Sequence, residues 1–260
     1  MEDAIAQIED QGLVSRIRLI SGPQGPRVLL DGRPVLLLCS DNHLGLADHP
    51  RVREAAADAA MRYGAGAGSA RPGSGTMRIH RRLEERLADF HGHESALLMG
   101  SRYLALLGVI PALARAGEVV LVDAGAHQAA ADGCRLADAE TLTYRNGDIE
   151  HLEWGLLQAQ GAGSLIVTDG LSAGGDLAPL EAIVELARRH DARLLVDESH
   201  AVGAIGADGR GAAAAAGVSA EVDVLVGSLA TALGSYGGYV TCDRTLARYL
   251  AGAARTFTHS

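Results

Sequence analysis

The rhythm of apolar and polar positions changes at about residue 95. Beyond it, short apolar runs alternate with helix-length amphipathic stretches. Ala96–Met99, Val119–Val122, Thr141–Tyr144, Leu165–Thr168, Leu194–Val196, Val222–Val226 and Tyr239–Val240 read as strands. Residues 102–115, 128–136, 149–159, 179–190 and 243–254 read as the helices between them. Such alternation predicts an α/β fold with a mostly parallel, roughly seven-stranded sheet. The nearly all-apolar strands predict helices on both faces.

The first part of the chain is patterned differently. Its first 25 residues are helix-prone, turning rich in glycine and proline at Ser21–Pro26. In RVLLDGRPVLLLCS two apolar runs flank Asp31 and Gly32, which predicts a β-hairpin. Val52, Ala56 and Ala60 recur at helical spacing, and residues 63–77 hold five glycines and read as a loop. Ile79, Leu83, Leu87 and Phe90 share one face of a following helix. Glu84, Glu85 and Asp89 read as its solvated side, and His91 and His93 as exposed loop residues around Gly92. The expected division is a helical and hairpin extension over 1–48 and one large domain over 49–260.

Composition narrows the chemistry. Hydrophobic residues make up 48% but aromatics only 3%, so Ala, Val, Leu and Ile must build the core. A formal charge of -9 argues against non-specific nucleic-acid binding. Cys39, Cys134 and Cys242 make neither a disulfide framework nor a zinc knuckle, so no metal site is expected. The acidic start MEDAIAQIEDQG is wrong for a signal peptide, and no apolar run reaches the roughly 18 residues of a membrane span. A cytoplasmic chain with no membrane or nucleic-acid partner is the expectation. All 23 basic residues are arginine, and lysine is absent. No side chain can therefore form a Schiff base.

In parallel α/β folds, polar residues at the carboxyl ends of strands line the ligand crevice. LLVDESH puts Asp197 at such an end with His200 three residues on, LIVTDG does so for Asp169, and VVLVDAGAH for Asp123 and then His127. Ser228 follows the sixth run. Asp197 is the sharpest of these, because a carboxylate closing a buried strand needs a partner. A bound ring nitrogen, a nearby arginine or helix amide groups would each serve. Gly100 and Ser101, between a strand and a helix, offer amides to an anion.

Several longer segments together resemble one family. CSDNHLGLADHP, RYGAGAGSARPGSGTMRIHRRLEERLADFHG, VDAGAHQAAADGCRL, TDGLSAGGDLAPL, VDESHAVGAIGADGRG and GSLATALGSYGGY follow the order and spacing of the α-oxoamine synthases, and the biotin-pathway branch is the most similar. These are pyridoxal 5'-phosphate-dependent acyltransferases of fold type I. The resemblance covers essentially the whole chain. It implies a homodimer that condenses an amino acid with an acyl-CoA and loses CO2. It also implies that Asp197 faces the cofactor's ring nitrogen, His200 the ring hydroxyl and His127 the ring face. Ser228, Ser101, Arg102 and Tyr103 would lie at the phosphate, and Ser172 would be a further cofactor contact.

The departures gather at that same place. The cofactor lysine falls on Thr231, which has no amine to form an internal aldimine and no useful base at neutral pH. Arg102 replaces a glycine, with two open consequences: an added phosphate contact or a blocked site. His43, Leu106, Ala126, Ala129 and Asn146 stand at other positions where the family differs, and SARPGSG replaces SRLVSG. ARTFTHS at Ala254–Ser260 resembles a segment that leads into a C-terminal small domain, so a truncated large domain is expected. The resulting expectation is an impaired or inactive family member that holds pyridoxal phosphate weakly and non-covalently, if at all. A non-catalytic remnant, a regulatory partner of an intact synthase, and another acyltransferase of the family are the alternatives.

Overall fold

Each of the seven apolar runs forms a strand in the computed structural model, which describes residues 1–13 and 17–259. The described residues form two compact units, Met1–Ser40 and Asp41–Ser260. The first contains helix α1 (Glu2–Asp10) and strands β1 (Ile20–Ser21), β2 (Arg27–Leu30) and β3 (Arg33–Leu36), which make an antiparallel sheet of their own. The hairpin pairs Leu30 with Arg33, and Asp31 (φ 50) and Gly32 (φ 77) take the left-handed backbone a tight turn requires. The helix-prone reading of the first 25 residues holds only as far as Asp10. Ile20 and Ser21 pair with β2, and residues 14–16 of that stretch lie outside the described residues, as does Ser260.

The second unit begins with α2 (Pro50–Tyr63) and α3 (Arg78–His91). There follow β4 (Ser95–Met99), α4 (Arg102–Leu113), β5 (Val119–Asp123), α5 (Gln128–Leu136), β6 (Glu140–Tyr144), α6 (Ile149–Gln158), β7 (Ser164–Asp169) and α7 (Leu180–Arg189). The unit closes with β8 (Arg193–Asp197), α8 (Ala212–Ala215), β9 (Val224–Ser228), β10 (Gly238–Cys242), α9 (Arg244–Ala253) and α10 (Arg255–Thr258). The seven strands lie in the order β4-β10-β9-β8-β7-β5-β6. β10 alone runs antiparallel to its neighbours, and the other pairings are parallel.

Side chains alternate between the two faces of this sheet. Val120, Val122, Leu165, Val167, Val224, Val226 and Val240 pack with Ala105, Val109 and Ile110 of α4, Ala129 and Ala130 of α5, and Leu250 of α9. Leu121, Ile166, Leu194, Val196 and Leu225 pack the other way, on Leu152 of α6 and Ile183 and Leu186 of α7. Helices thus cover both faces, as the apolar strands implied. Polar side chains start the covering helices: Ser101 accepts from the Leu104 amide, Asp148 from His151 and Asp243 from Leu246.

Two readings of the α3 region are corrected. Glu84 is 3% exposed, not solvated; it pairs with Arg71 at 2.7 Å and accepts the Leu98 amide. His91 is 5% exposed and ends α3, with its Nε2 2.9 Å from the Tyr239 hydroxyl. His93 is half-buried and contacts the Ser219 carbonyl oxygen at 3.0 Å. No helix among the described residues is long and apolar enough to cross a membrane.

Candidate active site

The pairing of β7 with β8 sets Asp169 directly opposite Asp197. Two carboxylates therefore meet at neighbouring strand ends, and both are buried. Gly238 on β10 lets the start of α4 approach: a Cβ there would lie 2.3 Å from the Ser101 carbonyl carbon. That approach roots Arg102, the first residue of α4, above the sheet edge.

From this root the Arg102 guanidinium reaches three groups. Nε donates to Asp197 Oδ2, Nη2 donates to Asp169 Oδ2 at 2.8 Å, and Nη1 lies 3.0 Å from His200 Nε2. A guanidinium has only donors, so His200 accepts at Nε2 with its proton on Nδ1. Burial, followed by the charge of Arg102, lowers the His200 pKa, which fits a neutral ring. Asp197 Oδ1 accepts the Ser199 amide at 2.9 Å. Asp169 Oδ1 accepts the His127 amide at 3.2 Å. His127 caps α5, its Nδ1 accepting from Ala129, and burial and then Arg102 lower its pKa too.

One guanidinium faces two carboxylates, and the imbalance registers on Asp169. Burial first, and the charge of Asp197 second, raise its pKa to about 7 against the pull of Arg102. Of the three partners the sequence allowed for Asp197, the structure supplies the arginine.

The remaining expected residues sit around this cluster. Ser228 is buried at the end of β9, where its Oγ accepts the Ala230 amide at 3.0 Å. Thr231 donates its hydroxyl to the Ser199 carbonyl oxygen at 2.9 Å, which ties it to the Asp197 segment. Tyr103 turns the other way: it is 41% exposed, and its hydroxyl donates to Asp132 of α5 at 2.8 Å. Ser172 holds its own loop by accepting the Gly174 and Asp176 amides. With Asp123, Asn146, Asp169 and Asp176 it lines a neighbouring cavity of ≈ 360 Å³. Asp123 accepts amides from Gly125 and Gly147 and so serves its turns. Among the described residues, no three histidine, cysteine or acidic side chains gather as metal ligands.

Sequence reading passed over Glu198. It is fully buried beside Asp197, accepts the Ala212 and Ala213 amides, and has its pKa raised to about 7, chiefly by burial. Gly211 (φ +108) was the available signal, since a Cβ there would stand 2.7 Å from Glu198 Oε2.

A mostly parallel sheet with polar groups at its strand ends defines the class. The family described as "Aminotransferase class I and II" matches residues 33–260, and the chain belongs to it. Within that class its relatives carry a more particular name. An 8-amino-7-oxononanoate synthase of Geobacter sulfurreducens is 46% identical over 98% of this chain and 66% of its own length. One from Anaeromyxobacter sp. is 46% identical over 97% of this chain and 64% of its own length. The chain thus spans about two thirds of the length of these relatives. A serine palmitoyltransferase variant from S. paucimobilis, solved with a bound PLP–myriocin aldimine, superposes with a TM-score of 0.93 at 30% identity, covering 100% of this chain and 67% of that one. The resemblance to α-oxoamine synthases therefore holds along the chain.

Proposed function

We propose that this chain is a non-catalytic α-oxoamine synthase homologue of the 8-amino-7-oxononanoate synthase type. On this reading it does not itself condense an amino acid with an acyl-CoA. Thr231 carries the reading. It stands where the family pattern puts the lysine, its hydroxyl is committed to the Ser199 carbonyl oxygen, and no lysine occurs elsewhere in the 260 residues. A hydroxyl can neither form an imine nor take a proton from carbon near neutral pH. Covalently held pyridoxal phosphate therefore does not fit these residues. Asp197, the expected partner of its ring nitrogen, already has both oxygens bonded within the chain.

The experiment mixes the purified chain with pyridoxal phosphate, an amino acid and a series of acyl-CoAs and follows free CoA. The expected result is no release above the protein-free control. Borohydride treatment and mass spectrometry should find no reduced adduct on any residue except the Met1 amine. Sustained turnover, or an adduct elsewhere, overturns the reading.

A second chain of the same fold, either another copy or an intact homologue, is the partner that suits this role. Tyr236 supports it: it is 81% exposed beside an apolar cavity of ≈ 640 Å³ lined by Leu83, Leu98, Met99 and Leu229. Sedimentation of the chain alone and mixed with an intact homologue tests this, and a monomer in both samples rejects it.

A further inference from the structure

Register alone brings Asp169 and Asp197 together. Strands β7 and β8 pair them residue for residue, at 7% and 1% exposure. Two buried carboxylates this close repel, and each loses its hydration, so such a pair calls for a cation. The cation also has to be flat, because it must meet both acids at the mouth of one strand pair and face the edge of the His200 ring. A guanidinium suits this, since it is planar and delocalised and carries its donors along several edges. All three edges of Arg102 are used, and its side chain is only 10% exposed.

We propose that Arg102 is a resident occupant of the strand-end cleft, its guanidinium standing where a ligand's planar ring cation would meet Asp197, so that the chain excludes such ligands from its own cleft. The inference rests on the reading that this chain works without a bound cofactor. It goes further by naming what fills the cleft and which chemical class is kept out: flat monocations with N–H donors, such as guanidinium or a protonated pyridine. The side chain cannot leave cheaply. Its root is set where Gly238 meets Ser101, and its departure strands two acids in the interior.

Arg102→Ala, made in the whole chain, removes the equivalent of one ethylguanidinium and leaves its acceptors in place. The probes are ethylguanidinium chloride, with tetramethylammonium chloride and sodium chloride at equal ionic strength as controls. The variant should melt well below the parent. Millimolar ethylguanidinium should raise its melting temperature saturably, while the controls and the parent show no such rise. Pyridoxal phosphate, followed by its absorbance, should bind the variant at least about tenfold more tightly than the parent, a difference of about 1.4 kcal/mol. If Arg102→Ala does not fold unaided, refolding with and without ethylguanidinium reads the same question, and recovery only with that ion supports the proposal. No recovery above tetramethylammonium, or equal pyridoxal phosphate affinity in variant and parent, overturns it. Failure of rescue leaves the CoA-release result untouched, so the two readings fail separately.

Discussion

Two largely buried arginines hold this molecule at different places, and they do so in different proportions. Arg71, which opens the short helical turn Arg71–Gly75 before α3, meets one carboxylate, Glu84, and its guanidinium carbon lies 5.0 Å from the centre of the Phe257 ring. Arg102 meets two carboxylates and a histidine. Both side chains are 10% exposed, so solvent screening does not separate them. The ratio of charges does. Glu84 also stands 3.8 Å from the exposed Arg81, so here one acid is met by two arginines, and through Arg71 and Phe257 it ties α3 to the turn before it and to the segment after α9. The Arg102 cluster sets one guanidinium against two carboxylates, and burial first, with the charge of Asp197 second, raises the Asp169 pKa to about 7. A carboxylate fully matched by arginines is what packing alone requires. An excess of acid at the carboxyl ends of a parallel sheet marks a place shaped to meet a cation.

The largest effect is expected from removing Glu84, the acid of the first cluster. Glu84→Ala leaves Arg71 without its acid and the Leu98 amide without its acceptor. Stranding one buried partner costs about 3–5 kcal/mol. Asp169→Ala leaves Arg102 still bonded to Asp197 and relieves the repulsion between the two acids. Its cost at pH 8 should be about 1–2 kcal/mol, set mainly by the His127 amide losing its acceptor. Denaturant melts of the two variants measure both numbers, and equal losses would erase the distinction between the clusters.

A buried group with no countercharge extends the comparison. His91 rests against the Tyr239 hydroxyl, and burial, reinforced by the charges of His93 and Arg210, lowers its pKa to about 4. A lowered folded-state value means that protons bind the unfolded chain more readily. The stability His91 contributes is thus present above pH 6.5 and lost as the pH falls through about 4. Between pH 7 and 4 the parent should lose on the order of 3 kcal/mol more than His91→Gln. Parallel profiles for the two proteins would show His91 to be solvated after all.

Asp169 predicts the opposite slope. Its folded-state pKa lies above the ordinary 3.8, so its contribution is full below pH 3.8 and disappears as the pH rises through about 7. Asp169→Asn should flatten that decline, which is read by subtracting its stability from the parent's across pH 4–8. A difference that grows with pH would mean that Arg102 outweighs burial and the Asp197 charge.

The seven strands and the β2–β3 hairpin were legible because their signals are local: runs of Val, Leu and Ile, and an Asp-Gly turn. The interior polar pairs were not. Arg102 lies 95 residues before Asp197 and 67 before Asp169, and only the strand order brings them together. A list of strand ends flags Asp197 but cannot choose its partner. Glu84 read as solvated because a helical wheel cannot see the Arg71 loop fold beneath it. His91 was misread for a similar reason. Gly92 rightly marks the end of α3, but Tyr239, 148 residues away, covers that end.

The smallest effect belongs to Tyr103, and it tests how sharply α4 divides its first turn. Arg102 points into the acid cluster, while the next residue faces the solvent edge of α5 and bonds Asp132. Tyr103 was expected to line the same ligand contact as Arg102. Consecutive helical positions, however, project about 100° apart, so one tight approach to the sheet cannot bury both. The Asp132 bond holds the Tyr103 pKa above its ordinary value, because an acceptor carboxylate favours the protonated phenol. Tyr103→Phe should shift the melting temperature by no more than about 2 °C, as surface substitutions do. It should also leave the ethylguanidinium response of Arg102→Ala unchanged when the two are combined. A Tyr103→Phe change that weakened that rescue would place the phenol in the cleft, and the division of labour within the first turn of α4 would be wrong.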